Sequence, residues 1–251
     1  MKALITGASS GIGLDMARYL STKKWELILV ARSKGKLEEI QEQLPTKVTI
    51  IVADLSNEQK VKELYAFAKK ENVDVLINNA GLGDFGYLTD TDVNKDLELI
   101  NTNIKALHIL TKYMARDMEN KETDTYILNV ASAAAFQPGP LMSTYYATKS
   151  YVYQLTEALY YEEKIKNKKV HVSVLCPGPV DTNFNNVANV NFSVKPLKST
   201  YVAKYAIDKM LEGKLLIIPG FKMKCARFFG KFVPNKLMLK ITYNIQKKKA
   251  S

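Results

Sequence analysis

The sequence predicts an α/β fold, a doubly wound parallel sheet of about seven strands with helices on both faces. Three observations predict this fold: short apolar runs recur along the chain, longer amphipathic stretches separate them, and no repeat or linker divides the 251 residues. Strands that are apolar along their whole length are typical of a sheet buried on both faces. The intervening helices supply the crossovers that parallel strands need.

The elements alternate in a regular rhythm along the chain. The predicted strands are 2–6, 25–31, 48–53, 73–77, 125–130, 170–176 and 214–218. The predicted helices are 11–23, 33–43, 57–71, 93–119, 144–167 and 199–212. Ligands of such sheets bind at the carboxyl ends of the strands. The irregular stretch 177–198 has the length of a lid or binding loop.

Composition excludes several classes of protein. The chain is 47% hydrophobic and 24% charged, values that argue against disorder and collagen-like repeats. Two cysteines are too few for a disulfide framework, and two histidines make zinc sites poor candidates, so we expect no metal. The first strand begins too early to leave room for a signal peptide, and no apolar run approaches the roughly 20 residues of a spanning helix. We therefore expect a cytoplasmic location.

The net charge of +11 is concentrated at one end of the chain. Residues 221–251 contain nine Lys or Arg and no Asp or Glu, which leaves only +2 on residues 1–220. A main domain of nearly neutral charge without a nucleic-acid motif does not predict a nucleic-acid partner. We therefore divide the chain into a domain, 1–220, and a basic amphipathic tail, 221–251.

A glycine-rich turn follows the first predicted strand. It reads Thr6-Gly7-Ala8-Ser9-Ser10-Gly11-Ile12-Gly13 and leads into a helix. Glycine lets the backbone approach a pyrophosphate closely, and the helix N-terminus offers unpaired N–H groups to its charge. In this strand–turn–helix setting the motif predicts a Rossmann-type fold that binds a dinucleotide.

The end of the second strand indicates which dinucleotide is bound. An acidic residue there would hold the ribose 2′-hydroxyl of NAD, whereas arginine suits the 2′-phosphate of NADP. Positions 30–34 contain no acidic residue, and Arg32 follows the strand with Ser33 and Lys34 beside it. The sequence favours NADP(H), with NAD(H) as the alternative.

Four polar residues form a candidate reaction centre. Tyr145 and Lys149 stand four positions apart near the start of a helix, so their side chains share one face. A tyrosine ionises near pH 10, and a nearby ammonium favours the phenolate, which makes proton exchange with an alcohol or carbonyl oxygen feasible. Ser132 follows the fifth strand at its carboxyl end, and Asn103 lies on the preceding long helix.

Together these segments resemble the short-chain dehydrogenase/reductase family, in its compact branch without a separate substrate domain. The resemblance covers nearly the whole chain, and its specificity comes from the ordered set. The segments are the glycine-rich turn, Asp54-Leu55, Asn78-Asn79-Ala80-Gly81, Asn103, Ser132, Tyr145-xxx-Lys149 and Pro177-Gly178. More narrowly, 136–140, 145–149 and 218–220 are similar to a bacterial subgroup labelled DltE-like.

The resemblance implies a role for each matching residue. Tyr145 would be the general acid/base, and Ser132 would orient and polarise the substrate oxygen. Lys149 would hold the nicotinamide ribose and lower the pKa of the tyrosine, and Asn103 would keep a water in a proton relay. The cofactor contacts implied by the turn, the second strand and the resemblance are Gly7, Ser9, Ser10, Gly11, Ile12, Gly13, Arg32, Asp54, Leu55, Asn79, Ala80, Gly81, Tyr145, Lys149, Pro177, Gly178, Val180 and Thr182.

The activity implied is hydride transfer between the nicotinamide of NADP(H) and a small hydrophobic carbonyl or alcohol. Two alternatives stay open: an NAD-dependent enzyme of the same class, and a non-catalytic nucleotide-sensing or scaffold protein. The family also implies a homo-oligomer, a dimer or tetramer, paired through helices 93–119 and 144–167. Mostly apolar or small residues are expected around the reacting carbon. They are Leu82, Phe85, Tyr87, Leu88, Ala133, Ala134, Phe136, Val180 and Phe184.

The tail is predicted to form a helix over 221–233 and a second short helix beyond Pro234. In the first helix, one face carries the aromatic residues and Cys225, and Lys224, Arg227 and Lys231 lie opposite. Two interpretations remain open. In the favoured one, the helix packs over the pocket or a partner subunit and its basic face is solvated. In the other, the helix lies on an anionic membrane surface.

Overall fold

The computed structural model describes residues 1–182 and 196–247. The strands in these ranges are β1 (Lys2–Thr6), β2 (Glu26–Ala31), β3 (Val48–Val52), β4 (Val75–Asn78), β5 (Thr125–Val130), β6 (Val170–Leu175), β7 (Val180–Asp181), β8 (Leu197–Lys198) and β9 (Leu216–Ile217). The α-helices are α1 (Gly11–Thr22), α2 (Lys34–Gln43), α3 (Glu58–Lys70), α4 (Val93–Ile100), α5 (Leu107–Met118), α6 (Ser143–Ile165), α7 (Ser199–Leu211), α8 (Phe221–Gly230) and α9 (Asn235–Lys247). A π-helix spans Asn101–Ala106 and a 3₁₀-helix spans Ala133–Phe136.

Seven of the described strands form one sheet in the order β3-β2-β1-β4-β5-β6-β9, and every neighbouring pair is parallel. The predicted doubly wound parallel sheet is confirmed. The strand order reverses between β1 and β4, because β2 and β3 extend from one side of β1 and β5 and β6 from the far side of β4. In such sheets the crevice at this reversal, beyond the carboxyl ends of the strands, is the usual place for a ligand.

Helices cover both faces of the sheet because the strands present apolar side chains to each. In β1, Ala3 and Ile5 belong to the core shared with α1 and α7, whereas Leu4 belongs to the core shared with α3 and α5. All three side chains are fully buried. Removal of this apolar surface from water is the main favourable contribution to folding, at about 25 cal/mol per Å².

Some observed elements differ from the predicted ones. The predicted helix 93–119 is interrupted by the π-helix Asn101–Ala106, an insertion that often marks a functional position. The predicted irregular stretch 177–198 begins and ends in a short parallel pair, β7 with β8. Its central part, 183–195, lies outside the described residues. The last strand of the sheet is also shorter than predicted.

The tail contributes α8 and α9, which are separated by a turn containing Pro234. Thr242 and Gln246 of α9 are buried against the rest of the chain. Across 1–182 and 196–247, each helix is too short or too polar to cross a lipid bilayer. Side chains of both tail helices reach the crevice beyond the carboxyl ends of the strands.

Candidate active site

The glycine-rich turn lies between β1 and α1 and is hydrogen-bonded to the residues that follow β4. The Thr6 hydroxyl oxygen accepts hydrogen bonds from the backbone N–H groups of Asn79 and Ala80, both at 3.0 Å. The Asn79 side-chain amide donates to the carbonyl oxygens of Thr6 and Gly7, at 3.0 and 3.1 Å. Gly7 has a φ of 66°, in the left-handed region that favours glycine. Asn79, which the resemblance predicts to line a ribose, therefore stabilises the backbone conformation of the turn.

Gly13 allows α1 to lie close against this turn. A Cβ atom at Gly13 would stand 2.4 Å from the side-chain nitrogen of Asn79 and 2.5 Å from the carbonyl oxygen of Gly7. Both distances are shorter than real Cβ contacts, so only glycine fits here without a shift of the backbone. Gly13, predicted to contact the cofactor, lies behind the turn.

The N-terminus of α1 has the features of an anion site. Ser10 precedes the helix without capping it through its side chain, so the first N–H groups of the helix remain for a ligand. Gly11 has a φ of 56°, and a Cβ atom there would lie 3.0 Å from Cγ2 of Thr182. A side chain at Gly11 would therefore fill the cradle in front of the helix. This cradle fits the pyrophosphate of a dinucleotide.

A cavity of about 900 Å³ extends beyond the strand ends, from this turn to the tail helices. Ligand sites typically measure roughly 300–1,000 Å³. The predicted site residues on its wall are Gly7, Ser9, Ser10, Gly11, Ile12, Arg32, Asp54, Leu55, Asn79, Ala80, Gly81, Ser132, Tyr145, Lys149, Pro177, Gly178, Val180 and Thr182. The other two predicted residues, Gly13 and Asn103, lie behind this wall.

Basic side chains lie at the end of β2, as predicted, although not all of them face the cavity. Arg32 is on the wall with its side chain 60% exposed, and its Nη1 atom is 2.9 Å from Oε1 of Glu98. Lys34 is turned toward Glu38, at 3.4 Å. Lys36, which the sequence did not single out, occupies the wall instead. Because an exposed ion pair contributes little to stability, Arg32 can exchange Glu98 for a phosphate at small cost.

The candidate reaction centre is assembled by α6 and the end of β5. Lys149 Nζ stands 5.7 Å from the centroid of the Tyr145 ring and donates a hydrogen bond of 2.9 Å to the carbonyl oxygen of Val130. Ser132 hydrogen-bonds the Tyr145 side chain. Its Oγ atom also accepts a bond of 3.1 Å from the N–H of Ala134. The structure therefore brings the predicted Tyr145, Lys149 and Ser132 together on one wall.

Burial is the main cause of the pKa shifts in this centre. It raises the pKa of Tyr145 to about 12, and the hydrogen bond from Ser132 only partly opposes the rise. The pKa of Tyr145 is therefore raised and not lowered as expected, and the Lys149 ammonium donates its hydrogen bond to the Val130 carbonyl. The phenol is therefore protonated at neutral pH, as the phenol of an ordinary tyrosine also is.

Lys149 makes the stability of the protein depend on pH. Burial lowers its pKa to about 8, below the ordinary 10.5. Between these values the unfolded chain binds more protons than the folded chain, so stability rises with pH in this window. We expect the unfolding free energy of the wild type, relative to Lys149→Met, to increase by about 2–3 kcal/mol from about pH 7 to pH 10. Urea unfolding at a series of pH values measures this difference, and a flat or falling difference would contradict the buried ammonium.

Asn103 positions the segment behind the centre. It lies in the π-helix, is 1% exposed, and its Oδ1 atom accepts from the N–H of Leu82 at 2.8 Å. Its Nδ2 atom donates to the carbonyl of Leu82 and to Thr148 Oγ1, at 2.9 and 3.1 Å. Gly81 fits between Asn103 and Lys149, since a Cβ atom there would be 3.3 Å from Oδ1 and 3.2 Å from Nζ. A side chain at position 81 would therefore crowd both Asn103 and Lys149.

The structure alters the predicted substrate pocket. Leu82, Ala133, Ala134 and Val180 are on the cavity wall. The other predicted residues are placed differently: Leu88 is 61% exposed, Tyr87 is 55% exposed with its hydroxyl 3.0 Å from that of Tyr243, Phe136 lies under Arg227, and Phe85 packs beside Met142. Phe184 lies outside the described residues.

Residues of the tail complete the wall, although the sequence-based interpretation that the tail helix packs over the pocket or a partner subunit did not name them as pocket residues. They are Met223, Ala226, Arg227, Phe229, Gly230, Val233, Met238, Ile241, Thr242, Ile245 and Gln246. Gln246 is fully buried and its amide donates to the hydroxyl of Tyr146. A hundred residues separate these two partners, so no local pattern in the sequence signals the contact.

Comparison with known proteins identifies the family. Residues 1–191 match the short chain dehydrogenase family, which is most of the chain. The chain belongs to the short-chain dehydrogenase/reductase family. An uncharacterized oxidoreductase of Staphylococcus epidermidis is 32% identical over 183 residues, 72% of this chain and 78% of that protein. A very-long-chain 3-oxoacyl-CoA reductase of Anas platyrhynchos is 32% identical over 209 residues, 80% of this chain and 66% of that protein.

A solved structure of the same family has the same architecture. A short-chain dehydrogenase from Sphingobium yanoikuyae in complex with NADPH superposes with a TM-score of 0.83 at 26% identity, covering 92% of each chain. This short-chain dehydrogenase/reductase is accordingly an NAD(P)-dependent oxidoreductase that uses a nicotinamide cofactor. The narrower DltE-like resemblance stays a prediction.

Proposed function

We propose that this short-chain dehydrogenase/reductase is NADP-dependent and interconverts a hydrophobic carbonyl compound and its alcohol. The observation that carries the proposal is a shared wall: Tyr145, Ser132 and Lys149 line the same cavity as the glycine-rich turn and Arg32. A cofactor held by the turn and a substrate at Tyr145 would meet in one enclosed space. Proximity and orientation then supply much of the rate enhancement.

The side chains perform the proton transfer. When bound, the nicotinamide supplies or accepts the hydride. Tyr145, whose pKa burial raises to about 12, is protonated at neutral pH and would donate its proton to the carbonyl oxygen during reduction. Ser132 is held by the N–H of Ala134, which leaves its hydroxyl hydrogen for the oxygen of Tyr145 or of the substrate. Lys149 Nζ lies 5.7 Å from the centroid of the Tyr145 ring, and its ammonium would hold the nicotinamide ribose when the cofactor is bound.

The wall near the centre is suited to an apolar substrate. From the domain it includes Leu82, Ala134 and Met142, and from the tail it includes Phe229 and Ile241. A pocket with an apolar wall and one polar end binds a hydrophobic molecule and fixes the orientation of its oxygen. The relative from Anas platyrhynchos, named as a reductase of very-long-chain 3-oxoacyl-CoA, is consistent with such a substrate.

The choice of NADP rests on charge. Arg32 and Lys36 are on the wall at the end of β2, and positions 30–34 contain no carboxylate to hold a 2′-hydroxyl. We expect Arg32→Asp to weaken NADPH binding by roughly tenfold or more and to leave NADH binding within a few-fold, because it removes a partner of the 2′-phosphate. Fluorescence titration with both cofactors measures the change. Lys34→Asp is the control, because Lys34 is directed to Glu38. An unchanged preference in Arg32→Asp would favour the NAD-dependent alternative.

The division into 1–220 and 221–251, a homo-oligomer and a cytoplasmic location are proposed from the sequence. The competing function is a non-catalytic nucleotide-sensing or scaffold protein. A scaffold has no need for a buried tyrosine, lysine and serine grouped beside an apolar cavity, and this grouping favours the enzyme.

A further inference from the structure

Aromatic side chains of the tail are exposed instead of packed. Phe221, Phe228, Phe229 and Phe232 are 80%, 59%, 64% and 72% exposed. Three of them form a cluster, with ring centroids 5.3 Å apart for Phe228 and Phe229 and 5.6 Å apart for Phe228 and Phe232. We call these four residues, with Lys222 and Lys231, the tail surface. A contiguous group of exposed aromatic rings indicates a binding surface.

The opposite side of α8 is the side that packs on the domain. Met223 lies against Gly178, because a Cβ atom added at Gly178 would be 2.8 Å from Cγ of Met223. Arg227 donates a hydrogen bond of 2.7 Å to the Tyr153 hydroxyl, and its guanidinium stacks 4.8 Å from the centroid of the Phe136 ring. The sequence-based expectation that the basic face is solvated and the aromatic face packed is therefore wrong for Arg227. The aromatic side of α8 is left for another partner.

The tail surface combines aromatic rings with lysines along α8 and the residues that follow it. Phe221 and Phe228 project within about 20° of each other at about 100° per residue, and Phe232, just beyond the end of the helix, contacts Phe228. Lys222 lies beside this stripe in α8, and Lys231 follows the last residue of the helix. Lysines beside an apolar stripe can bury their stems and keep their ammonium groups at the polar boundary. This is the distribution found in helices that lie in the plane of a lipid interface.

The charge of the tail selects the partner. Residues 221–251 contain nine Lys or Arg and no acidic residue. A second copy that met this surface with its own tail would bring lysines against lysines, so pairing of two tail surfaces is disfavoured. An anionic partner with an apolar interior satisfies both the lysines and the phenylalanines. We propose that the tail surface docks on an anionic lipid bilayer, with its rings at the headgroup boundary and its lysines on the phosphates.

The tail surface is continuous with the mouth of the cavity. Phe229 belongs to both, and Ile241 and Ile245 of α9 line the cavity while remaining 40% and 46% exposed. Docking would therefore place the opening of the cavity at the bilayer. The docking itself does not depend on catalysis, and its test uses no cofactor or turnover.

Sedimentation with vesicles tests the proposal on the full chain. Vesicles of phosphatidylcholine alone are compared with vesicles that also contain phosphatidylglycerol. We expect binding to be at least about tenfold stronger with phosphatidylglycerol and to weaken between about 0.1 M and 1 M salt, as the Debye length falls from about 10 Å to about 3 Å. Two double variants, Phe228→Ser with Phe232→Ser and Lys222→Glu with Lys231→Glu, should each lose roughly tenfold or more.

Matched control variants distinguish an effect of the tail surface from a general effect of removing exposed apolar side chains or reversing positive charges. Tyr161→Ser with Ile165→Ser removes two exposed apolar side chains of α6, 61% and 69% exposed. Lys70→Glu with Lys112→Glu makes the same charge change on α3 and α5. Both controls should bind like the wild type. Absence of vesicle binding, equal binding to both vesicle types, or equal losses in the controls would overturn the proposal. The proposal would also be overturned if the wild type self-associated without binding vesicles and the variant Phe228→Ser with Phe232→Ser lost that self-association.

Discussion

Replacing Tyr145 with phenylalanine is expected to lower turnover by roughly 10²- to 10⁴-fold, the usual contribution of a positioned proton donor. The substitution removes the phenol oxygen of a side chain that is hydrogen-bonded to Ser132 and lies beside Lys149. Cofactor binding and the unfolding midpoint should change little. Steady-state kinetics with NADPH and a carbonyl substrate, together with a cofactor titration, separates loss of chemistry from loss of binding.

Two other tyrosines of α6 provide comparisons for Tyr145→Phe. Tyr151→Phe is the control, since its hydroxyl is 2.7 Å from Nδ1 of His108 and away from the cavity wall. Tyr146→Phe tests the assignment, because this neighbour also lines the cavity but its hydroxyl accepts a bond from Gln246. Full activity in Tyr145→Phe with strong loss in Tyr146→Phe would show that the proton donor is Tyr146.

The second large effect is expected for Gly13→Ala. The added Cβ atom would meet the Asn79 side chain at 2.4 Å and the Gly7 carbonyl oxygen at 2.5 Å. Because the second contact is with backbone, α1 must shift away from the turn. We expect the unfolding free energy to fall by about 3 kcal/mol and NADPH affinity to fall by roughly tenfold or more. Urea denaturation and cofactor titration measure the two effects.

Gly35→Ala is the matched control for this substitution. Gly35 lies in α2, and nothing lies within 4 Å of an added Cβ atom. Alanine should stabilise the helix there by about 0.5–1 kcal/mol. If Gly13→Ala behaved like Gly35→Ala, the close approach of α1 to the turn would not be required.

The sequence predicts the frame of the site because that frame depends on local patterns. Buried strands are apolar along their whole length, and parallel strands bring their carboxyl ends to one edge. Residues that follow β1, β4, β5 and β6 must therefore meet, and the glycine-rich turn and Ser132 follow β1 and β5. The spacing of four positions in α6 places the side chains of Tyr145 and Lys149 on the same face of the helix.

Contacts between distant segments could not be predicted in this way. An amphipathic pattern defines two faces of a helix but does not say which faces the protein. In α8, the inward position is taken by Arg227, because two aromatic rings, Phe136 and Tyr153, are available to stack with its guanidinium. In α9, the buried residues are the polar Thr242 and Gln246. Neither choice follows from hydrophobicity.

The protonation of the centre is also a property of the folded chain. Spacing places Lys149 one turn from Tyr145, which predicts a lowered tyrosine pKa. The folded protein buries both groups and turns the ammonium toward the carbonyl of Val130, so burial dominates and the pKa of Tyr145 rises. Burial of this extent depends on how distant segments of the chain pack around the two side chains, and it leaves no mark in the local sequence.

The most direct test of the proposed function is consumption of NADPH by the purified full chain with a panel of hydrophobic ketones and aldehydes. The proposal predicts that NADPH binds more tightly than NADH and that its absorbance is lost with at least one apolar carbonyl compound. It also predicts that this loss depends on Tyr145. Binding of neither cofactor, or binding of NADPH with no turnover across the panel, would contradict the proposal.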